Sequence, residues 1–261
     1  MTTTAMTITT TAAMTDPAAL LRLLAWLSPA FPVGGFAYSH GLEWAVEAGD
    51  VRDGDTLRAW VEDVLRLGSG RTDAILLRRA HRGEDVAALA RATASSRERR
   101  MEAVAQGTAF VAAVAAWPVT SPEPATSVTP AKAGAQATHA EATRLDSRFR
   151  GTDEATAGRD RDKVPYAVAI GTLAGTHGIA EDDAALGYLH AFAANLISAA
   201  VRLVPLGQST GLAVLAALEP ALREVADETR TATLDDIGGC AFRSDLAAMR
   251  HETQYTRLFR S

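Results

Sequence analysis

The sequence predicts an all-α protein, a single-domain bundle of about ten helices with a long disordered insert. Of its 261 residues 48% are hydrophobic, and many of these are alanine and leucine, which suit helices packed on helices. Only 6% are aromatic, fewer than a β-sandwich uses. No stretch alternates apolar and polar residues as a half-buried strand does.

Helix signals begin near the N-terminus. Asp16-Pro17 is a capping residue followed by proline at the first helical position, and it predicts a helix that ends near Ser28. The clearest helix is Thr56–Leu67, in which five residues at helical spacing predict one buried stripe, namely Leu57, Trp60, Val61, Val64 and Leu65.

Further helices are predicted from the same periodicity and from end signals. In chain order they run from Tyr38 or Ser39 to Gly49, from after Gly70 to Arg82, and over residues 84–93, 95–117, 164–176, 181–204 and 209–217. A polar helix that ends near Thr229 and a short helix over residues 245–251 follow. Ser95 and Glu98 have the spacing of a capping box at the start of the fourth of these. The helix that begins at Glu181 is long and apolar around much of its circumference, so we expect it at the centre of the bundle.

Residues 119–163 differ in composition from the rest of the chain. They contain three prolines, many threonines and serines, and seven acidic against seven basic residues. The few large apolar residues do not bury enough surface to offset the entropy of an ordered backbone, which predicts a disordered, low-complexity insert. Residues 1–15 are predicted to be a disordered leader, and residues 16–118 and 164–261 together to form one helical domain.

Composition also argues against several classes of function. A net charge of −5 without a basic block argues against nucleic-acid binding. The single cysteine, Cys240, allows neither an internal disulfide nor a cysteine-based zinc site, and indicates a cytoplasmic protein. The apolar run Ala18–Leu27 is too short to span a bilayer. No nucleotide-binding glycine motif and no nucleophile elbow occur, so neither a cofactor nor catalysis is predicted.

Two segments have an unusual composition. Phe31–Glu43 (FPVGGFAYSHGLE) places three aromatic residues around a diglycine, and His251–Ser261 (HETQYTRLFRS) mixes aromatic and aliphatic residues with arginine. Aromatic residues and arginine dominate the energetics of protein interfaces, although both segments could instead pack on the core of their own chain. The candidate partner-binding residues are Phe36, Tyr38, His40, Glu43, Arg250, His251, Glu252, Tyr255, Arg257, Leu258, Phe259 and Arg260.

A metal-handling protein or enzyme is the alternative. His40 and Glu43 are three residues apart, so a helix would place both on one face, and His251 could join them. Carboxylate-bridged metal sites in helical bundles use Glu-x-x-His pairs from more than one helix, whereas this chain offers one pair in reversed order. The sequence therefore favours contact with a partner over metal binding.

Three motifs resemble the UreF family of urease accessory proteins. They are SPAFPVGGFAYSHGLEWAVEAG (Ser28–Gly49), RLVPLGQSTG (Arg202–Gly211) and MRHETQYTRLFRS (Met249–Ser261), and the helical intervals between them fit in order and approximate length. Two features differ from the family pattern. One is the insert, and the other is Leu212, at a position where the family has glutamine.

The resemblance implies an all-helical homodimer without catalytic turnover. Such proteins bind the accessory protein UreD, also called UreH, and the GTPase UreG, and the complex docks on urease apoprotein and helps to assemble its nickel centre. The resemblance also implies modulation of the partner GTPase. The C-terminal segment and the adjacent helical face resemble the regions that bind UreD.

Excision of residues 122–160 is predicted to leave the melting temperature nearly unchanged. From its composition the excised stretch is expected to bury little apolar area, and the entropy of closing a loop grows only logarithmically with its length. Thermal unfolding of the shortened and intact chains measures this, and a large fall in melting temperature would refute the predicted disorder.

Overall fold

The computed structural model describes residues 16–118 and 163–261, and within these ranges the regular structure is helical. Eleven α-helices and two 3-10 turns occupy the described residues, and no strand is found among them. The predicted all-α fold of about ten helices is therefore confirmed. The predicted leader and all but the last residue of the predicted insert lie outside the described residues.

The helices are numbered here in chain order. They are α1 (Pro17–Trp26), α2 (Leu42–Glu47), α3 (Gly54–Leu67), α4 (Ser69–His81), α5 (Ala87–Ala92), α6 (Arg97–Val114), α7 (Tyr166–Thr176), α8 (Glu181–Leu203), α9 (Gln208–Ala217), α10 (Glu219–Glu228) and α11 (Phe242–His251). The 3-10 turns are Gly35–Ala37 and Leu234–Asp236.

Local signals explain where the first long helices begin. The Asp16 carboxylate accepts a hydrogen bond of 3.2 Å from the amide of Ala18, and Pro17 follows at the first helical position, as predicted. In α3, Asp53 caps the helix by accepting a hydrogen bond of 2.8 Å from the amide of Thr56, so the helix starts at Gly54, two residues before the predicted start at Thr56. All five predicted stripe residues of α3 are buried.

Several other predicted boundaries were wrong, and three of them have an identifiable local cause. Helix α2 begins at Leu42 rather than near Tyr38 because the residue before its cap, His40, has a left-handed φ of 57°. Helix α6 is capped by Ser96 rather than by the residue before it, since the Ser96 hydroxyl accepts from the amide of Arg99. Helix α11 begins at Phe242, earlier than predicted, and its first apolar residue faces solvent, so no buried stripe marks the start.

Helix α8 lies at the centre of the bundle, as its composition predicts. It packs against α1, α2, α3, α4, α7, α9 and α10. Among the described helices it alone is long and apolar enough to cross a membrane, and 56% of that apolar window is buried inside the molecule. The apolar surface of α8 therefore serves largely as the core of the bundle.

A buried arginine joins three helices at one end of this core. Arg78 of α4 is 1% exposed, and its guanidinium lies 2.7 Å from the carboxylates of both Glu181 and Asp182 at the start of α8. It also donates 2.8 Å to the carbonyl of Ala226 in α10. Burial would raise the pKa of Glu181, but hydrogen bonds from Arg82 and Arg78 lower it to about 2. Removal of the carboxylates would leave the buried charge of Arg78 without compensation. The cluster therefore holds the ends of α4, α8 and α10 together.

Small residues let α4 and α7 approach closely. A Cβ added to Gly171 of α7 would lie 2.1 Å from the carbonyl oxygen of Leu77 in α4. The backbones of the two helices are thus in contact at a point where no side chain fits.

We predict that Gly171→Ala lowers the free energy of unfolding by roughly 2 kcal/mol or more, because the new methyl group has no space beside α4. The melting temperature should fall by about 4 °C or more. Gly207→Ala is the matched control, since Gly207 has a φ of −69° and a Cβ there would meet no atom within 4 Å. Equal melting temperatures for the two variants would contradict the close packing.

Candidate functional site

The two unusual segments lie against each other in the structure. The backbone amide of Ser39 donates 2.6 Å to the carbonyl of Ser261, and the amide of Arg260 donates 2.9 Å to the carbonyl of Ala37. We call Phe31–Glu43 and His251–Ser261 the paired segments. Two stretches more than 200 residues apart in sequence thus form one structural unit.

Left-handed backbone gives the first segment its shape. Gly34 has a φ of 72°, and His40 and Gly41 have φ values of 57° and 77°. A Cβ added to Gly41 would lie 2.4 Å from the backbone nitrogen of Ala248 in α11. Glycine at position 41 therefore serves two needs, a positive φ and direct contact between the loop and α11.

The carboxylate of Glu43, the second residue of α2, holds the C-terminal segment. One of its oxygens accepts 2.6 Å from the amide of Leu258, and the other accepts 2.9 Å from the amide of Phe259. The same second oxygen lies 3.1 Å from Nε2 of His251. Glu43 is 8% exposed, so its carboxylate loses most of its hydrogen bonds to water. The three protein donors replace those bonds.

The end of α11 is fastened to the start of α6. Nδ1 of the fully buried His251 lies 2.7 Å from one oxygen of Glu98, whose other oxygen accepts 2.6 Å from the guanidinium of Arg257. The Glu252 carboxylate accepts from the first two amides of α6, those of Arg97 at 2.8 Å and Glu98 at 3.3 Å. Glu252 thus caps a helix distant in sequence, where negative charge is favourable.

A second buried carboxylate, Glu102 of α6, binds the end of the C-terminal segment. It accepts 2.7 Å from the hydroxyl of Ser261 and lies 2.7 Å from Nε2 of His40, and it forms an ion pair with Arg99. Burial would raise the pKa of Glu102, but the charge of Arg99 and the contacts with His40 and Ser261 lower it to about 2. Burial and the charge of Arg99 lower the pKa of His40, which favours a neutral ring. The His40 ring then donates from Nε2 to Glu102, and its Nδ1 has no partner among the described residues.

A cavity of about 510 Å³ lies beside this network and is lined in part by His40 and Glu102. Asp73 and Tyr188 also line it, and the Tyr188 hydroxyl donates 2.7 Å to the Asp73 carboxylate. Burial raises the pKa of Asp73 to about 6, against the opposing effect of that hydrogen bond. The lining is therefore mixed in character, with a few polar groups among apolar walls.

The geometry does not favour the metal alternative. Nε2 of His40 is engaged by Glu102, and both ring nitrogens of His251 face glutamate oxygens. In residues 16–118 and 163–261 no group of three or more His, Cys, Asp or Glu side chains is arranged to hold a metal ion. The predicted trio of His40, Glu43 and His251 takes part instead in a hydrogen-bond network.

The structure divides the twelve candidate residues by exposure. Five are buried, namely Tyr38, His40, Glu43, His251 and Phe259, and Glu252 is half-buried. Six are exposed, namely Phe36, Arg250, Tyr255, Arg257, Leu258 and Arg260. Only the exposed group is accessible on the surface in this conformation, and the buried group forms contacts within the molecule.

Sequence reasoning missed several residues of the network. Glu98 was interpreted only as part of a capping box, and Glu102 and Ser39 were not singled out. One signal was present, because Glu98, Glu102 and Gln106 recur at intervals of four and place a polar stripe on one face of α6. That face is the one that meets the paired segments.

Comparison with known proteins identifies the family. The UreF family model matches residues 51–219. A protein of Cereibacter sphaeroides named urease accessory protein UreF is 48% identical over 94% of this chain and 99% of its own length. The chain belongs to the UreF family. UreF proteins of Bradyrhizobium sp. strain ORS 278 and Mesorhizobium japonicum are each 47% identical, over 94% and 93% of this chain and 92% and 96% of their own lengths.

For this UreF-family protein we predict that Glu43→Gln lowers the free energy of unfolding by about 1–3 kcal/mol, because an amide nitrogen replaces one acceptor while three donors stay buried. Glu47→Gln on the same helix is the matched control, since Glu47 is exposed and accepts a hydrogen bond from the Gln254 side chain rather than from a backbone amide of the segment. Thermal unfolding of both variants measures the difference, and equal stabilities would show that Glu43 is not the central acceptor.

Proposed function

We propose that this protein is a non-catalytic scaffold for urease maturation. It joins UreD, also called UreH, and the GTPase UreG in a complex that assembles the nickel centre of urease apoprotein. Its family membership and the names of its relatives support a role as a urease accessory protein. The observation that carries the finer proposal is the exposed apolar and arginine surface that the paired segments hold in place.

The C-terminal segment has the features of a preorganised interface. Tyr255 is fully exposed and Leu258 is 66% exposed, although the backbone amides of Leu258 and Phe259 are fixed on Glu43. Phe259 packs inward beneath the guanidinium of Arg202, which lies 4.4 Å from the centre of its ring. A surface that is already ordered loses less entropy when it binds, which favours affinity.

Helix α11 extends this surface. Phe242, Leu246 and Met249 are 68%, 56% and 50% exposed, and their spacing of four and three residues places them on one helical face. Exposed apolar residues grouped in this way mark interaction sites more often than scattered ones do. We assign UreD to the combined surface of α11 and the C-terminal segment.

The buried candidates position this surface and do not touch the partner. Tyr38, His40, Glu43 and His251 shape the loop and hold the segment on it. Arg257 is engaged by Glu98 at 2.6 Å, so it is an interface or positioning residue and does not reach out as an arginine finger.

The remaining elements of the proposal follow from the family. The protein acts in the cytoplasm as a homodimer and modulates the GTPase of its partner without turnover of its own. It uses no cofactor, and nickel is the cargo of the assembled complex.

A double variant, Tyr255→Ala with Leu258→Ala, is predicted to weaken UreD binding by about tenfold or more and to reduce urease activation, with little change in melting temperature. Both side chains are exposed, so their loss removes contact area and leaves the core intact. Co-purification with UreD and titration calorimetry measure the effect.

The control is the double variant Leu21→Ala with Leu24→Ala, which removes two exposed apolar side chains, 68% and 61% exposed, from α1. Undiminished UreD binding by the Tyr255 and Leu258 variant, or an equal loss in the α1 variant, would contradict the assignment.

A further inference from the structure

Asp73 of α4 places a carboxylate in the wall of the cavity of about 510 Å³. This carboxylate accepts a hydrogen bond of 2.7 Å from the hydroxyl of Tyr188, and in the described part of the chain it forms no ion pair. Burial raises the pKa of Asp73 to about 6, because the charged form loses water and gains too little positive charge in return. A cation that entered the cavity would therefore be stabilised beside Asp73.

The positive charge close to Asp73 is already paired. Arg99 of α6 lines the same cavity and lowers the pKa of Asp73, but the charge of Glu102 acts in the opposite direction. Because Arg99 and Glu102 form an ion pair, their effects at Asp73 largely cancel. Asp245 of α11 adds another carboxylate to the wall, and burial raises its pKa too. Three carboxylates thus line the cavity against one guanidinium, which favours a positively charged ligand.

Aromatic rings form the wall next to Asp73. Tyr188 lies between Tyr166 and Phe192, with ring centres at 6.0 Å and 6.2 Å, and all three residues line the cavity. The face of an aromatic ring carries partial negative charge, so it attracts a cation that lies within about 6 Å of its centre. An ammonium ion bound here would be stabilised by both the carboxylate and the rings.

The size and the lining of the cavity together select the kind of ligand. Small-molecule sites have volumes of roughly 300–1,000 Å³ and are mostly apolar, with a few polar groups that fix orientation, and this cavity fits that description. A neutral apolar molecule would leave the charge of Asp73 unbalanced, and an inorganic ion would leave the apolar walls uncovered. An amine with an apolar body satisfies both parts of the lining.

We propose that this cavity binds an organic ammonium ion, with its charge beside Asp73 and its apolar body against Tyr166, Tyr188 and Phe192. A ligand that binds the folded chain stabilises it. Residues of the loop Phe31–Glu43 and of α11 also line the cavity, so the stabilised elements include those that support the paired segments. The binding requires no partner and is independent of the proposed function.

Two probes of similar shape that differ in charge test this proposal on the isolated full chain. Benzylammonium carries a positive charge on an apolar body, and benzyl alcohol has the same body without the charge. Titration calorimetry should give a Kd for benzylammonium that is lower by about tenfold or more, and benzylammonium should raise the melting temperature as its concentration rises. Equal Kd values would show a merely apolar cavity, and absence of binding by both probes would show a cavity that takes only water. Either result would overturn the proposal.

Asp73→Asn locates the binding site. Asparagine keeps an oxygen that can accept from the Tyr188 hydroxyl but removes the charge, so the preference for benzylammonium should disappear. Asp63→Asn is the matched control, because it removes a carboxylate from an exposed position of α3 that does not line the cavity. A preference that survives in Asp73→Asn, or an equal loss in Asp63→Asn, would contradict the assignment. The comparison of the two probes on the unchanged chain remains decisive if Asp73→Asn does not fold, and no UreD is present, so failure here is distinguishable from failure of UreD binding.

Discussion

The buried carboxylate of Glu43 is the group through which the paired segments depend on each other. It lies at the start of α2, yet the donors it satisfies belong to residues more than 200 positions later, the amides of Leu258 and Phe259 and the ring of His251. A carboxylate at this depth without donors would destabilise the fold, whereas one with three donors fixes both partners. The position of the C-terminal segment therefore follows from the chemistry of one side chain.

The rest of the bundle makes that chemistry possible. Helix α8 supplies the packed centre, and the Arg78 cluster fixes the ends of three helices. On this frame, α6 presents Glu98 and Glu102 toward the segment, and Glu252 returns to cap α6. Buried charged groups thus hold an exposed apolar surface in place.

Local signals made most of the fold predictable. The cap at Asp16, the apolar stripe of α3 and the apolar circumference of α8 act over a few residues, and each gave the observed element. The start of α2 was not predictable because His40 adopts a left-handed φ, which few non-glycine residues take and which no sequence pattern marks. Both segments of the site stood out by composition, but their pairing did not. Glu43 binds backbone amides, and a backbone amide leaves no signal in a sequence.

Hydrogen exchange at the amides of Leu258 and Phe259 in the free protein tests the pairing most directly. If Glu43 holds the C-terminal segment as described, both amides exchange slowly, with protection close to that of amides in α8, while the exposed neighbour Tyr255 exchanges fast. Exchange of Leu258 and Phe259 at the rate of an unstructured peptide would contradict the account, because the segment would then not be docked on Glu43.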